Sequence, residues 1–202
     1  MGVTSGRFLY AGDKGSRIFS WFKEHLQAIA LCVDAGFPEA GLTLLYSGID
    51  TLGLLAAPSG TIDATGKTFK DWCEKYLMPK LQSVEGNPLT ALDLWAARCG
   101  VLHTSTPVSN LGREGKAHEL WYQFRGRAGV NLMANVQLVP LGLDIEHLAI
   151  TFKEGGLAFI TDLNQDQTRF QIAEQRAGNF LRWGRWDIDK DGCLVPRPRA
   201  DS

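Results

Sequence analysis

The sequence has almost no surplus charge: 21 Lys and Arg stand against 22 Asp and Glu, a net charge of −1 over 202 residues. With no global field to recruit nucleic acid or an anionic membrane, any anion site must be local. Paired cysteines are lacking as well. Cys32, Cys73, Cys99 and Cys193 are scattered without a C-x-x-C spacing, and three of them fall in apolar helical patterns, where a thiol acts as a small hydrophobe. A disulfide framework is not expected in a chain long enough to build its core without one. No N-terminal segment runs in the basic, apolar, small-residue order of a signal peptide, and no apolar run reaches the roughly 20 residues that span a bilayer. The expectation is a cytoplasmic protein without a membrane partner.

Hydrophobic residues at 45% and charged residues at 21% match ordinary globular usage. The expected fold class is mainly α: a single domain, a bundle of about five to six helices, with a short β-hairpin-like insertion after the fourth. Residues 1–13, with Gly2, Gly6 and Gly12, read as a loose N-terminal arm; 14–105 hold the core helices. Ile18, Phe22, His25, Ile29, Cys32 and Val33 recur at helical spacing up to the stop at Gly36, and Pro38 suits the first turn of a second helix running to about Ala57. Phe69, Trp72, Cys73, Tyr76 and Leu77 mark a third helix, broken by Pro79. Asn87 and Pro88 open a fourth, with Leu92, Trp95, Ala96, Cys99 and Leu102 along one face.

Residues 112–142 lean towards β. Leu120–Phe124 and Asn135–Val139 read as paired strands, separated by a flexible Arg-Gly-Arg-Ala-Gly stretch from Arg125 to Gly129. In 143–185 two C-terminal helices are expected, although Gly155 and Gly156 would also suit the turn of a hairpin. The acidic first turn at Asp144 and Glu146 favours helix, and a last helix covers about Gln167–Trp183. Residues 186–202, rich in Pro, Arg and Asp, read as tail.

Several tempting signals fail. Gly66-Lys67-Thr68 resembles the end of a phosphate-binding loop, but Gly60 is one residue too far away and a helix precedes it, so a polar loop capping the third helix fits better. Asp187, Asp189, Asp191 and Gly192 open like a calcium loop, yet the position of the bidentate Glu is Pro198. Phe180–Trp186 interleaves Arg182 and Arg185 with aromatics, as single-strand binders do, though Trp183 and Trp186 equally suit packing of the last helix. Arg125 and Arg127, with Arg113 and Lys116, make a second basic cluster. These four arginines, Arg125, Arg127, Arg182 and Arg185, are the candidate RNA contacts. Trp72, Trp95, Trp121 and Tyr122 suggest core more than a small-molecule pocket. His25, His118 and His147 lack the spacing of metal ligands, so no metal and no cofactor is expected.

One signal survives. The fourth helix ends Arg98-Cys-Gly-Val-Leu-His103, an Arg and a His five apart and so about 140° apart around an ideal helix, flanking the apolar stripe. Gly100 between them costs about 1 kcal/mol in a helix interior and asks for a local reason, such as close approach of another helix or of a second copy. His moves protons near neutrality, and the Arg fork fits a phosphate bidentately. The pair suits metal-free RNA cleavage, in which a base activates the ribose 2′-hydroxyl and a cation stabilises the charge growing on phosphate. One His is ill suited to act as base and acid in a single step; two copies at a two-fold axis would supply both. Asp50, mid-helix among Ile49, Leu52 and Leu54, needs a partner there, and pairing with Arg98 would satisfy both and orient the guanidinium.

The Arg-x4-His run near a helix end, behind an earlier helix reading Leu-Leu-Tyr-Ser-Gly-Ile-Asp-Thr over 44–51, resembles the HEPN superfamily. The likeness in pattern covers about half of the chain. It implies a helical bundle that dimerises through the fourth-helix region and a metal-independent endoribonuclease, or a degenerate relative, in a defence, toxin–antitoxin or stress-response setting. Arg98 would bind phosphate and stabilise the transition state; His103 would transfer protons. The family's residue after the arginine is usually polar, whereas Cys99 stands there here. The alternative is a non-catalytic module whose apolar faces serve a protein partner.

Overall fold

The computed structural model describes residues 16–81, 88–106, 108–129, 138–180, 186–188 and 194–196. The chain is mainly helical. Seven helices appear among these residues: α1 (Arg17–Asp34), α2 (Pro38–Ala56), α3 (Gly66–Tyr76), α4 (Ala91–Thr104), the single turn α5 (Asn110–Arg113), α6 (Ile145–Asn164) and α7 (Gln167–Ala177). A small sheet of β1 (Leu120–Phe124), β2 (Arg127–Gly129) and β3 (Leu141–Asp144) lies between α5 and α6, and β4 (Trp186–Ile188) pairs with β5 (Leu194–Pro196). No helix among the described residues is long and apolar enough to cross a membrane.

Helix starts follow from short polar side chains that accept otherwise orphaned backbone N–H groups. Ser16 caps α1, Thr65 and Thr90 form capping boxes with Thr68 and Asp93, and Asp144 and Asp166 cap α6 and α7. The cap of α4 is thus Thr90; Asn87 lies outside the described residues. Gly66-Lys67-Thr68, expected as a loop capping the third helix, is instead its first turn, with Thr65 as the cap and Thr68 closing the box. Gly36 takes φ +81° at the α1–α2 corner, a conformation glycine adopts at little cost.

α2 runs through the centre. Its Leu42, Leu45, Tyr46, Ile49, Leu52 and Leu55 are buried against Ile18, Phe22 and Ile29 of α1, Phe69 and Trp72 of α3, and Phe152 and Phe159 of α6, all in one apolar cluster that also takes in Leu120, Leu141 and Leu143 of the sheet. Fully burying each such side chain is worth ~1.5–3 kcal/mol. Gly155 and Gly156 are not a turn: α6 is continuous through them. A Cβ on Gly156 would stand 2.1 Å from Phe22 Cζ, and one on Gly155 would stand 2.8 Å from the Tyr76 carbonyl oxygen. The pair is there to admit α1 and the end of α3, and 144–163 is cap and helix.

The sheet differs from the expected hairpin. Leu120–Phe124 is a strand, but its antiparallel partner is Arg127–Gly129, across a two-residue turn at Arg125 and Gly126 with φ of +50° and +71°. The stretch read as a flexible separator is therefore turn and strand. β3 joins the other edge in parallel, Leu120 opposite Leu141 and Tyr122 opposite Leu143. Val139, expected in a strand, is an exposed loop residue whose carbonyl accepts from His118 Nδ1; 135–137 lie outside the described residues. The last helix ends at Ala177, short of Trp183, and the expected tail begins with the β4–β5 ribbon.

Candidate functional site

Asp50 and Arg98 meet where α2 and α4 pack. Arg98 Nε donates to Asp50 Oδ2 at 2.8 Å and Nη2 to the same oxygen at 2.7 Å, with 18% of the Arg98 and 14% of the Asp50 side chain exposed. A carboxylate mid-way along an apolar helix has found the nearest cation, as its desolvation requires. Burial lifts the Asp50 carboxyl above the usual carboxylate range; the hydrogen bond and charge of Arg98, and the charge of His103, pull the other way.

Arg98 also reaches His103. Nη1 lies 3.2 Å from His103 Nε2. Since guanidinium nitrogens only donate, Nε2 is the acceptor in this contact. The two side chains do not simply flank a stripe at 140°, as helix geometry suggested: the long flexible Arg stem closes the gap. His103 is exposed on the last turn of α4, where the N–H groups of Ser105 and Thr106 return to the carbonyls of Val101 and Gly100 and Ser105 takes φ +52°. Gly100 is buried within that turn.

The buried face of α4 is only in part the one expected. Ala96 of that face is sealed, together with Ala91, Leu94 and Ala97, whereas Leu92, Trp95, Cys99 and Leu102 are half-buried. Small residues let the helix sit close, so the bulky ones fall on its flank. Trp95, one turn before Arg98, carries the guanidinium over its ring, Cζ 5.0 Å from the centroid, within the range of a cation–π contact. Its other neighbours are Phe69, centroids 5.4 Å apart, and Gly66, where a Cβ would stand 2.9 Å from Trp95 Cε2. The sequence offered Trp95 as core or pocket wall; its i, i+3 offset from Arg98 was the signal available.

The sheet is tied to this region through Tyr122, whose hydroxyl lies 2.6 Å from that of Tyr46, one turn before Asp50 on α2. Burial raises the pKa of both hydroxyls. The other predicted residues stand apart. Arg125 Nη2 donates to the carbonyls of Val33 and Asp34 at 3.1 Å each, capping α1, so its guanidinium is already engaged. Arg127 is exposed at the start of β2. Arg182 and Arg185 lie outside the described residues. Trp72 is core, against Tyr76 and Phe152. Among the described residues no group of three or more His, Cys, Asp and Glu is arranged to hold a metal ion. Comparison with protein families, curated proteins and solved structures finds no match to this chain.

Proposed function

We propose that the protein is a HEPN-like, metal-independent endoribonuclease of the cytoplasm, acting as a homodimer through the α4 region in a defence, toxin–antitoxin or stress-response setting. The observation that carries this reading is the convergence of Asp50, Arg98 and His103 in one hydrogen-bonded cluster at the open end of α4. Asp50 occupies one edge of the guanidinium and leaves donors on its far end for a phosphate. His103 sits beside those donors, where its ring would take the 2′-hydroxyl proton. A second copy would bring the acid for the leaving oxygen. Purified protein incubated with mixed RNA in EDTA is expected to cleave it and to run as a dimer by solution mass, and His103→Ala to abolish cleavage while the fold persists. Cleavage surviving that substitution overturns the mechanism.

A second reading, a non-catalytic interaction module, draws on the neutralisation of Arg98 by Asp50 and on Cys99 beside it. A dimer or a monomer that binds a protein partner and leaves RNA intact in EDTA would favour it.

A further inference from the structure

The Asp50 contact does not by itself fix the guanidinium. Both of its short contacts end on one oxygen, Oδ2, and the 3.2 Å contact of Nη1 ends on the exposed ring of His103, so neither partner clamps the plane of the group. A plane needs a second constraint, and the ring of Trp95 lies where it would act. Trp95 in turn has little freedom: Phe69 closes one side, and the first residue of α3 is Gly66, which leaves no room for a Cβ against the indole.

We propose that Trp95 is the positioning residue of the site, setting the plane of the Arg98 guanidinium so that its outer donors face the anion that His103 also reaches, with Gly66 as the recess that seats the indole. The inference rests on the anion-binding reading of the site given above. Trp95 itself touches neither RNA nor the reacting atoms: its ring face is covered by Arg98. Its contribution is preorganisation, so that the donors need not reorient as charge develops on phosphate.

Three variants separate this role from mere packing. Trp95→Leu removes the ring, Trp95→Phe keeps a ring face, and Gly66→Ala pushes the indole without altering α4; Ala is also the better helix former, so local helix stability is not what Gly66→Ala loses. The first readout needs no substrate. The Arg98 Nε–H signal in a proton–nitrogen correlation spectrum is expected to be sharp and dispersed in the wild type and in Trp95→Phe, and broadened in Trp95→Leu and Gly66→Ala. The second is cleavage of an RNA oligonucleotide in EDTA. Here kcat is expected to fall ~10-fold or more in Trp95→Leu and Gly66→Ala, with KM within about two-fold, and Trp95→Phe to recover most of it, as misplacement of a charge-stabilising group predicts. An unchanged Arg98 signal in folded Trp95→Leu and Gly66→Ala overturns the proposal. So does an equal loss in Trp95→Phe. A wild type that leaves RNA intact while the signal behaves as expected overturns the ribonuclease reading and leaves the positioning of Arg98 standing.

Discussion

Glu174 and Arg176, two residues apart on α7, cap opposite poles of two different helices. Glu174 Oε1 accepts from Ser16 Oγ at 2.6 Å and from the Ile18 N–H, and Oε2 from the Arg17 N–H, at the start of α1. Arg176 donates to the carbonyls of Leu54, Ala57, Pro58 and Thr61 at the end of α2. An anion at a helix N-terminus and a cation at a C-terminus each match the local dipole. α7 thereby fastens the start of α1 to the end of α2, the helix that carries Asp50.

That arrangement predicts unequal substitutions. Glu174→Ala is expected to cost ~1–2 kcal/mol through loss of the cap, and Arg176→Ala ~1–3 kcal/mol because several carbonyls lose their donor. Arg176→Lys should recover only part, since a single ammonium does not reproduce the fork. Urea midpoints of the three variants read this directly; a Lys variant as stable as the wild type would show the fork geometry to be irrelevant.

The Asp50–Arg98 pair predicts non-additivity. Asp50→Ala and Arg98→Met are each expected to destabilise by ~1–3 kcal/mol, since either leaves a largely buried charge without its partner. The double variant should lose less than the sum, because no orphan charge remains. A denaturation cycle with zero coupling would mean that the pair contributes nothing to the fold.

His25 predicts a pH dependence. Its Nε2–H donates to the Leu44 carbonyl at 2.8 Å, its ring stacks on Trp21, and burial depresses its pKa while that hydrogen bond raises it, leaving it below the usual histidine value. The fold therefore favours the neutral ring. The associated stability is complete above the unfolded pKa of about 6.5 and is lost as pH falls through it towards the lower folded value. His25→Gln keeps a donor and removes the titration, so its stability should fall less than that of the wild type between pH 7.5 and 5. Parallel slopes over that range would contradict the assignment.

Gly156 predicts a clash that outweighs propensity. Alanine is favoured over glycine by about 1 kcal/mol within a helix, but its Cβ would stand 2.1 Å from Phe22 Cζ. Gly156→Ala is expected to lower stability by ~1–3 kcal/mol, and Phe22→Leu to rescue part of that loss. A thermal scan showing a stabilised Gly156→Ala would mean that Phe22 moves freely.

Much of this was legible in the residues. An acidic residue inside an apolar helix must find a cation, so Asp50 pointed to Arg98 before any coordinates did. Caps and periodicity placed the longer helices to within a few residues. The rest depended on contacts that sequence spacing does not carry. The helix through Gly155 and Gly156 was the preferred reading, but why two glycines stand there is visible only with Phe22 and the Tyr76 carbonyl against them. The face of α4 was only half legible: Ala96 is buried as expected, but Leu94 and Ala97 fill the seam where Leu92, Cys99 and Leu102 were expected. Spacing does not show that Arg125 Nη2 caps the carbonyls ending α1, and the partner of β1 was hidden in what read as a flexible linker.

The sharing of one Asp50 oxygen between two nitrogens of Arg98 has an electrical consequence. The pair sums to no net charge, in a chain whose total is −1. A polyanion approaching α4 would be met by directed N–H groups instead of a long-range field, and few counterions would be released on contact. Binding at this spot should weaken only gently as salt rises, and recognition would rest on the fit of a single phosphate more than on the length of the strand that carries it.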